Sequence, residues 1–293
     1  MEYADAPERC RRELLLRGCC THCREDDLIG NGLDPSQKPR ISTIAVLASL
    51  TMVGFAANSL LARLALTTTS IDPTSFTLIR LVSGAAVLIL IACVRGRGWS
   101  LRRRNVRHGT LLLTYALAFS YAYRGISAAK GALILFACAQ LLMVAAGYLR
   151  GERSSPWGPT LALAGLVLFL RPSVSAPPMV PAAFMTISGL AWGAYSLVAP
   201  RNDVTAQAAE NFVAATILCL AIVPFALGDL KLDPIGSLYA VCSGALASGL
   251  AYALWYWIRG FLSRMAAGSL QLTVPILAAG MGATVLSEHL TAL

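Results

Sequence analysis

Eight polar or amphipathic side chains stand inside otherwise apolar stretches of this sequence. They are Arg80, Asn58, Tyr121, Gln140, Trp192, Tyr195, Tyr252 and Gln271. These stretches contain no catalytic pair, such as two facing carboxylates, so the residues indicate binding rather than bond-making. Amide, hydroxyl and indole groups bind the polar atoms of a small solute, and aromatic rings stack on its apolar part. We therefore take all eight as candidate substrate-binding residues.

Arg80 is the sharpest candidate, because a charged side chain within an apolar stretch is costly. It follows Pro73 by seven residues, which is about 10 Å into a helix that rises 1.5 Å per residue. A central Arg costs about 2.5–3.5 kcal/mol on insertion scales, so it is expected to face the bundle or a wet cavity. The functional hypothesis is that it attracts a carboxylate of the substrate. The alternative is that it pairs with helix-end carbonyls or extends to the outer interface.

The other seven candidates also have a structural interpretation, which is a hydrogen bond between helices or a ring at the membrane interface. The aromatic run at 255–257 is expected to belong to an interfacial belt. Small residues four apart, at 189–193 and 244–248, are typical of helices that approach closely. Pro275 predicts a kink within its span.

Composition places the chain in a lipid environment. Of the 293 residues 56% are apolar and only 13% are charged, against about 25% charged in an average soluble domain. The formal net charge is +9, but most bases stand in short connections between apolar runs, where they orient a membrane protein. No phosphate-binding loop, dinucleotide fingerprint or paired metal motif occurs in the sequence. We therefore predict a membrane protein that is not an enzyme, has no metal site and does not bind nucleic acid.

A membrane span needs about 20 mostly apolar residues. Nine candidate spans are present: 41–64, 73–94, 108–125, 128–149, 156–171, 178–198, 205–227, 235–257 and 266–286. Residues 1–40 form a separate tail, which is expected to be cytoplasmic and unstructured with its cysteines reduced. With the tail inside, the inner connections carry eleven Arg and the outer ones carry five Lys or Arg. This asymmetry predicts a multi-pass protein of the cell inner membrane with its N-terminus in the cytoplasm.

The two halves of the sequence resemble each other. FAANSL at 55–60 matches WGAYSL at 192–197 at an offset of 137, and Gly131 matches Gly268 at the same offset. We predict an all-α membrane protein with a first repeat of five spans at 41–172 and a second repeat at 178–293. Because five is odd, the second repeat crosses the membrane in the opposite sense. Inverted repeats of this kind are a transporter architecture with a site near the midplane.

These features resemble the EamA-type drug/metabolite transporters. The resemblance rests on LRGERSSPWGPTLALAGLVLFL at 149–170, VPILAAGMGATVLSEHLT at 274–291, and the Arg within FTLIRLVSGAAV at 76–87. It implies ten helices in two inverted repeats, a central cavity lined by both halves, and no prosthetic group. Two departures stand out: the second repeat stops before a tenth helix, and the position that corresponds to Arg80 falls in the apolar stretch 212–214.

The predicted function is transport of a small metabolite by alternating access, with an amino acid as the expected exported substrate. A carrier of phosphorylated or nucleotide-linked solutes is the first alternative, although such a site would need two or more deep basic residues. An inactive truncated remnant is the second alternative. No carboxylate stands clearly at the middle of a span, so a dedicated proton relay is not expected. Substrate identity, driving ion and oligomeric state are not specified by the sequence.

Overall fold

The computed structural model describes residues 39–98, 100–151, 157, 160, 161, 164, 165, 178–198, 203–226 and 230–286. The tail, most of the predicted fifth span, and the two glutamates of the family motif, Glu152 and Glu288, lie outside these residues. The chain divides into two units, 1–44 and 45–293. Every contact given below lies within the second unit.

The described chain is helical throughout and contains no strand. Its elements are α1 (Ile41–Thr68), α2 (Pro73–Val94), α3 (Arg103–Tyr123), α4 (Ala128–Leu149), α5 (Met179–Ser196), α6 (Val204–Ile222), a 3₁₀ turn (Val223–Ala226), α7 (Pro234–Gly244), a π-helical segment (Ala245–Leu250), α8 (Ala251–Arg259), α9 (Arg264–Gln271) and α10 (Val274–Val285). The all-α prediction is confirmed for these residues, and α2 and α4 have the predicted bounds.

Six helical stretches of the described chain are long and apolar enough to cross a membrane. They are Ile41–Thr68, Pro73–Val94, Ala128–Leu149, Val204–Ile222, Pro234–Arg259 and Ala266–Val285. The helices α3 and α5 coincide with two further predicted spans but are not among the six. In α3 the first turns carry Arg103, Arg104 and Arg107, which lowers its mean hydropathy. The figure of nine spans stays a prediction.

Aspartate and serine side chains fix where several helices begin. Oδ1 of Asp72 accepts hydrogen bonds from the backbone N–H groups of Thr74 (2.8 Å) and Ser75 (3.0 Å), and Pro73 occupies the first helical turn. This pairing of an Asp cap with a following Pro is a strong start signal. Ser127 caps α4 in the same way. These caps explain why the sequence predicted the starts of α2 and α4 correctly.

Small residues let α2 approach the stretch formed by α7 and the π-helical segment. A Cβ atom on Gly244 would collide with the Arg80 carbonyl oxygen and the Ser83 hydroxyl, and one on Gly84 would collide with the Phe212 ring. The close helix approach predicted from the small-residue pattern at 244–248 is therefore confirmed. It fixes the backbone at Arg80 directly against the neighbouring helix.

Polar ties hold the helix ends at two opposite ends of the fold. At one end, the Lys231 backbone N–H donates to Asp72 Oδ2 (2.8 Å), and the Asp72 N–H donates to the Lys231 carbonyl (3.2 Å). At the other end, Arg97 Nε forms an ion pair with Asp203 Oδ2 (3.3 Å). We call this second end, where α2 and α4 end and α3 and α6 begin, the basic end.

Helix packing gathers the central parts of several elements around α2. The α2 helix packs on α6, α7 and the π-helical segment, α3 packs on α5 and α6, and α4 packs on α5, α9 and α10. These pairings join helices from the N-terminal and C-terminal parts of the chain. The polar residues of the spans are thereby brought to a shared interior.

Candidate functional site

Arg80 lies at the centre of a buried polar cluster. Its side chain is only 1% exposed. Nε donates a hydrogen bond to Ser248 Oγ (3.0 Å), and Nη2 donates to the hydroxyl oxygens of Tyr115 (2.8 Å) and Tyr252 (3.3 Å). All three acceptors are side-chain hydroxyls from the middle of other elements. The structural alternative for Arg80 required that it pair with helix-end carbonyls or extend to the outer interface. Its hydrogen bonds correspond to neither.

The guanidinium of Arg80 is incompletely paired. Nη1 is buried and has no hydrogen-bond partner within the described part of the chain, and no carboxylate of that part forms an ion pair with it. The guanidinium carbon lies 5.0 Å from the ring centre of Phe119 and 5.1 Å from that of Tyr115. Such cation–π contacts offset part of the desolvation of the charge, but a buried cation without an anion stays unfavourable. An anionic ligand group would complete its coordination.

A chain of hydrogen bonds extends from Arg80 to α1 and α7. The Tyr115 hydroxyl oxygen, which accepts from Arg80, also accepts from Asn58 Nδ2 (3.1 Å). Ser243 Oγ donates in turn to Asn58 Oδ1 (2.6 Å). Both amide atoms of Asn58 are thus bonded, which fixes the orientation of its side chain. This chain of hydrogen bonds links four elements, α2, α3, α1 and α7, through side chains that are all buried.

Aromatic rings surround this polar cluster. The Trp192 ring centre lies 4.9 Å from that of Tyr252, 5.2 Å from that of Tyr115 and 5.3 Å from that of Phe55. The Phe55 ring stands nearly perpendicular to those of Trp192 and Tyr252, at 86° and 87°. Edge-to-face contacts of this kind are favourable beyond the area that they bury. They form an apolar wall beside the arginine.

A small cavity of about 10 Å³ lies within these rings. Its aromatic lining consists of Phe55, Tyr115, Phe119, Phe136, Trp192 and Tyr252, and Asn58 contributes an amide. Three of these residues, Tyr115, Phe119 and Tyr252, also contact the Arg80 guanidinium. A volume of this size holds at most about one water molecule. The centre is therefore closed in this structure, and a larger ligand requires the rings to move apart.

Gln140, Gln271 and Trp192 tie the site to α9. The indole Nε1 of Trp192 donates to Gln271 Oε1 (2.5 Å), and Gln271 Nε2 donates to the Ala267 carbonyl (3.3 Å). Gln140 Nε2 donates to Ser269 Oγ (3.4 Å). The bond to Gln271 sets the tilt of the Trp192 ring. Gln271 therefore supports the aromatic wall, whereas Gln140 joins α4 to α9.

Tyr195 continues the aromatic cluster towards the basic end. Its ring centre lies 5.9 Å from that of Trp192 and 6.4 Å from that of Tyr252. Its hydroxyl oxygen accepts from Asn211 Nδ2 (3.4 Å). Six of the eight candidates thus share one interior in direct or one-step contact, and these are Arg80, Asn58, Trp192, Tyr195, Tyr252 and Gln271.

Tyr121 lies apart from this cluster. Its side chain is 39% exposed, its hydroxyl group forms a hydrogen bond with Thr74 Oγ1 (3.1 Å), and its ring stacks on that of Phe184 at 5.6 Å. The structure instead brings Tyr115 of the same helix to Arg80. Six residues separate the two tyrosines, which is about 600° of helical rotation, so they face different sides. Sequence analysis missed Tyr115, because only the face of the helix on which it lies distinguishes it from Tyr121.

The π-helical segment positions two of the Arg80 partners. It spans Ala245–Leu250 and joins α7 to α8 without a break in the helical stretch Pro234–Arg259. A π-helical turn holds an extra residue and shifts the faces of the residues that follow it, and such turns are frequent at functional sites. Ser248 lies within the segment and Tyr252 follows it. No sequence signal that we used predicts this local change.

Trp255 and Tyr256 correct the prediction of an interfacial belt. Their side chains are 0% and 1% exposed. The Trp255 ring lies 5.8 Å from that of Phe55, and the Tyr256 ring lies 5.6 Å from that of Tyr195. The belt prediction is therefore wrong for both residues, because tight helix packing continues further along α8 than the sequence indicated. Trp257 alone of the three is partly exposed.

The described residues of this centre offer groups that can bind a small solute. Among the described residues no group of three or more His, Cys, Asp or Glu side chains could hold a metal ion. Within the described part of the chain, the centre offers the Arg80 cation with an unpaired donor, several hydroxyl and amide groups, and a wall of rings. This set fits a small molecule that carries both an anionic group and an apolar or aromatic part.

Comparison with known proteins defines the class of protein. The aromatic amino acid exporter YddG of Ancylobacter novellus is 28% identical to this chain over 226 residues, which cover 71% of this chain and 78% of the exporter. This distant homology and the six span-forming helices together support a membrane transporter. A solved crystal structure of a protein that is 22% identical superposes with a TM-score of 0.63, covers 83% of this chain and 91% of its own, and supports the fold.

The nearer relationship is to a bacterial protein whose role is not described. The chain is 45% identical over 249 residues to the uncharacterized protein PA1977 of Pseudomonas aeruginosa, and the match covers 84% of this chain and 87% of that protein. The chain therefore belongs to the family of PA1977. No family model matches the chain.

Proposed function

We propose that this protein is a multi-pass inner-membrane transporter of the drug/metabolite type that exports amino acids, with aromatic amino acids as the favoured class. One observation carries the proposal: Arg80 is buried, keeps one nitrogen without a partner among the described residues, and contacts three of the six aromatic residues that line the central cavity. The name of the distant homologue, an aromatic amino acid exporter, agrees with this chemistry.

In the proposed complex the substrate carboxylate binds to Nη1 of Arg80. A charged hydrogen bond of this kind is about twice as strong as a neutral one, and it supplies the anion that the buried cation lacks. The aromatic side chain of the substrate then occupies the space between Phe55, Phe136 and Trp192. The hydroxyl groups of Tyr115 and Tyr252 keep the guanidinium in place while the ligand binds.

We further propose that the transporter is built from two inverted repeats that alternate access to this centre. The ties at the two ends support the idea, because in each the aspartate that caps a helix start also binds the loop after a helix of the other half. Asp72 caps α2 and binds Lys231, and Asp203 caps α6 and binds Arg97. Inverted repeats would place such equivalent ties on opposite membrane faces.

The orientation follows from the distribution of bases. The basic end carries most of the arginines between spans and would face the cytoplasm, together with the N-terminal tail. Export would then begin with the substrate at the basic end. The ring-lined centre, whose cavity measures only about 10 Å³ in this structure, would open towards each membrane face in turn.

Counterflow of radiolabelled amino acids in proteoliposomes tests the proposal. The comparison uses the wild type, Arg80→Gln, Arg80→Lys and the matched control Arg63→Gln, which removes a half-buried Arg that binds the Tyr123 carbonyl (2.8 Å) on α3. Counterflow of phenylalanine by the wild type and by Arg63→Gln, with loss in Arg80→Gln, is the expected result. Equal activity of Arg80→Gln and the wild type would refute the role of Arg80. Counterflow of phosphorylated solutes but not of amino acids would favour the alternative substrate class.

A further inference from the structure

A second cavity, distinct from the closed centre, lies at the basic end. Its volume is about 830 Å³, which falls within the roughly 300–1,000 Å³ of small-molecule sites. The basic part of its lining consists of Arg104, Arg107, His108 and Arg150. These residues come from α3 and from the residue after α4. We call this cavity the basic vestibule.

The charge of the basic vestibule has one sign. None of its described lining residues is a carboxylate. The nearest acidic side chain of α6, Glu210, lies one turn from the lining residue Gln207 and is buried at 2% exposure. It accepts hydrogen bonds from the Ser100 N–H (3.1 Å) and Asn105 Nδ2 (3.0 Å), so its charge is engaged within the fold. The rest of the described lining is mostly apolar and includes Val198.

A further cation contacts this lining. Arg259 Nη2 donates to the carbonyl oxygen of Val198 (2.6 Å). Its Nε atom is buried and lacks a hydrogen-bond partner among the described residues. Three arginines in the lining of one cavity, with no acid in its described lining, favour an anionic ligand there.

We propose that the basic vestibule is an access site that binds the carboxylate of the substrate before the substrate reaches Arg80. The identity of the ligand rests on the proposed function, whereas the anion preference rests on the cavity itself. A cleft lined by charges of one sign raises the local concentration of the opposite ion and increases its rate of association by about 10- to 1,000-fold. The α5 helix connects the two sites, because it contributes Ala194 to the vestibule and Trp192 to the closed centre.

The test removes two vestibule charges and compares a matched control. Arg104→Gln/Arg107→Gln neutralises two lining bases. Arg102→Gln/Arg103→Gln removes the same charge from neighbouring, exposed residues that do not line the cavity. Uptake of phenylalanine is measured in inside-out and right-side-out membrane vesicles at low and high salt, because salt screens charges beyond about 10 Å at 0.1 M.

The expected result is a change confined to one vesicle orientation. In that orientation the half-saturation concentration of the vestibule variant is about fivefold higher than that of the wild type at low salt, and its maximal rate is unchanged. The control variant has the half-saturation concentration and the maximal rate of the wild type. At high salt the half-saturation concentration of the wild type rises to the same extent. That of the vestibule variant does not change with salt. Equal effects of the two double variants, or no effect of either, would overturn the proposal.

Two further arms identify the ligand and separate this proposal from the transport function. Uptake is repeated in proteoliposomes of phosphatidylcholine with and without phosphatidylglycerol. If the vestibule variant differed from the wild type only with the anionic lipid, a lipid headgroup would occupy the site. That result would contradict the proposal. Binding of 3-phenylpropionate to detergent-solubilised protein is followed by saturation-transfer NMR. Binding that persists in Arg80→Gln but weakens in the vestibule variant alone supports the vestibule even if the wild type transports no amino acid. Binding that is equal in both double variants overturns it.

Discussion

Removing the hydroxyl group of Tyr115 tests whether the central cluster is as interdependent as its geometry indicates. The Tyr115 oxygen accepts hydrogen bonds from Arg80 Nη2 (2.8 Å) and Asn58 Nδ2 (3.1 Å), and all three side chains are buried. Tyr115→Phe keeps the ring, its contact with Trp192 and the volume. It leaves the Asn58 donor without its acceptor and leaves Arg80 Nη2 with only the longer bond to Tyr252 (3.3 Å).

The expected loss of stability follows from these two donors. A buried donor left without an acceptor costs about 1–3 kcal/mol. Since Arg80 keeps the Tyr252 bond, we expect a total loss of about 2–4 kcal/mol for Tyr115→Phe. The matched control is Tyr121→Phe on the same helix, where the side chain is 39% exposed and forms a single hydrogen bond. Because the control removes a single hydrogen bond, it is expected to lose only about 0.5–1.5 kcal/mol.

The assay is reversible unfolding in mixed micelles at a series of denaturing-detergent fractions, which gives the free energy of unfolding for each variant. The same preparations are then compared in phenylalanine counterflow. We expect the Tyr115 variant to be both less stable and slower, because a guanidinium with weaker restraints holds the carboxylate less well. If the two Tyr→Phe variants lost the same stability, the Tyr115 hydroxyl would not be the acceptor that holds Arg80, and the description of the cluster would be wrong.

Three further predictions concern the fold around the site. Gly244→Ala should lower the free energy of unfolding by about 1–3 kcal/mol, because the added methyl group collides with α2. Its control is Gly280→Ala, where an added Cβ meets nothing within 4 Å, and which should be neutral or gain up to about 1 kcal/mol. The free energy of unfolding of both variants tests this prediction. Asp72→Ala should lose about 1–2 kcal/mol as a helix cap is removed, and trypsin should cleave faster after Lys231 as the tie opens. The hydrogen bond from the Gly236 N–H lowers the pKa of Asp233. The ionised Asp233 therefore contributes fully to the stability of the fold above the unfolded pKa of about 3.9. This contribution is lost as the pH falls through the lower pKa of the folded state. The stability difference between the wild type and Asp233→Asn should therefore shrink over that range in pH-dependent unfolding.

Helix existence and several helix bounds could be predicted because their causes are local. Asp72 followed by Pro73 starts α2 at the predicted residue, and Ser127 starts α4. The predicted effect of Pro275 is also local: the ninth span divides into α9 and α10, and α10 begins at Val274 with this Pro in its first turn. Caps, prolines and apolar length all act over a few residues, so the sequence alone shows them.

The partners of Arg80 could not be predicted because they depend on which helices meet. The sequence indicated that Arg80 faces the bundle or a wet cavity, but the candidate residue on α3 was Tyr121 and not Tyr115. Only the packing of α3 against α5 and α6 turns Tyr115 inward. Ser248 was missed for a different reason, since its approach to Arg80 requires both the π-helical segment and the close contact at Gly244.

The absence of a described acidic partner for Arg80 bears on why such a residue is kept in the interior. A buried Arg paired with a carboxylate of its own chain would have its charge satisfied in every state, and a substrate carboxylate would then have to displace that partner. Arg80 is held instead by three neutral hydroxyl groups and two ring faces. These contacts orient the guanidinium but do not neutralise it, so the attraction for an anion is preserved. Replacement of Ser248 by Asp would place a carboxylate 3–4 Å away, within the range of a strong charge pair, and should abolish phenylalanine counterflow while the protein stays folded. Retained counterflow in that variant would mean that the substrate does not depend on the charge of Arg80.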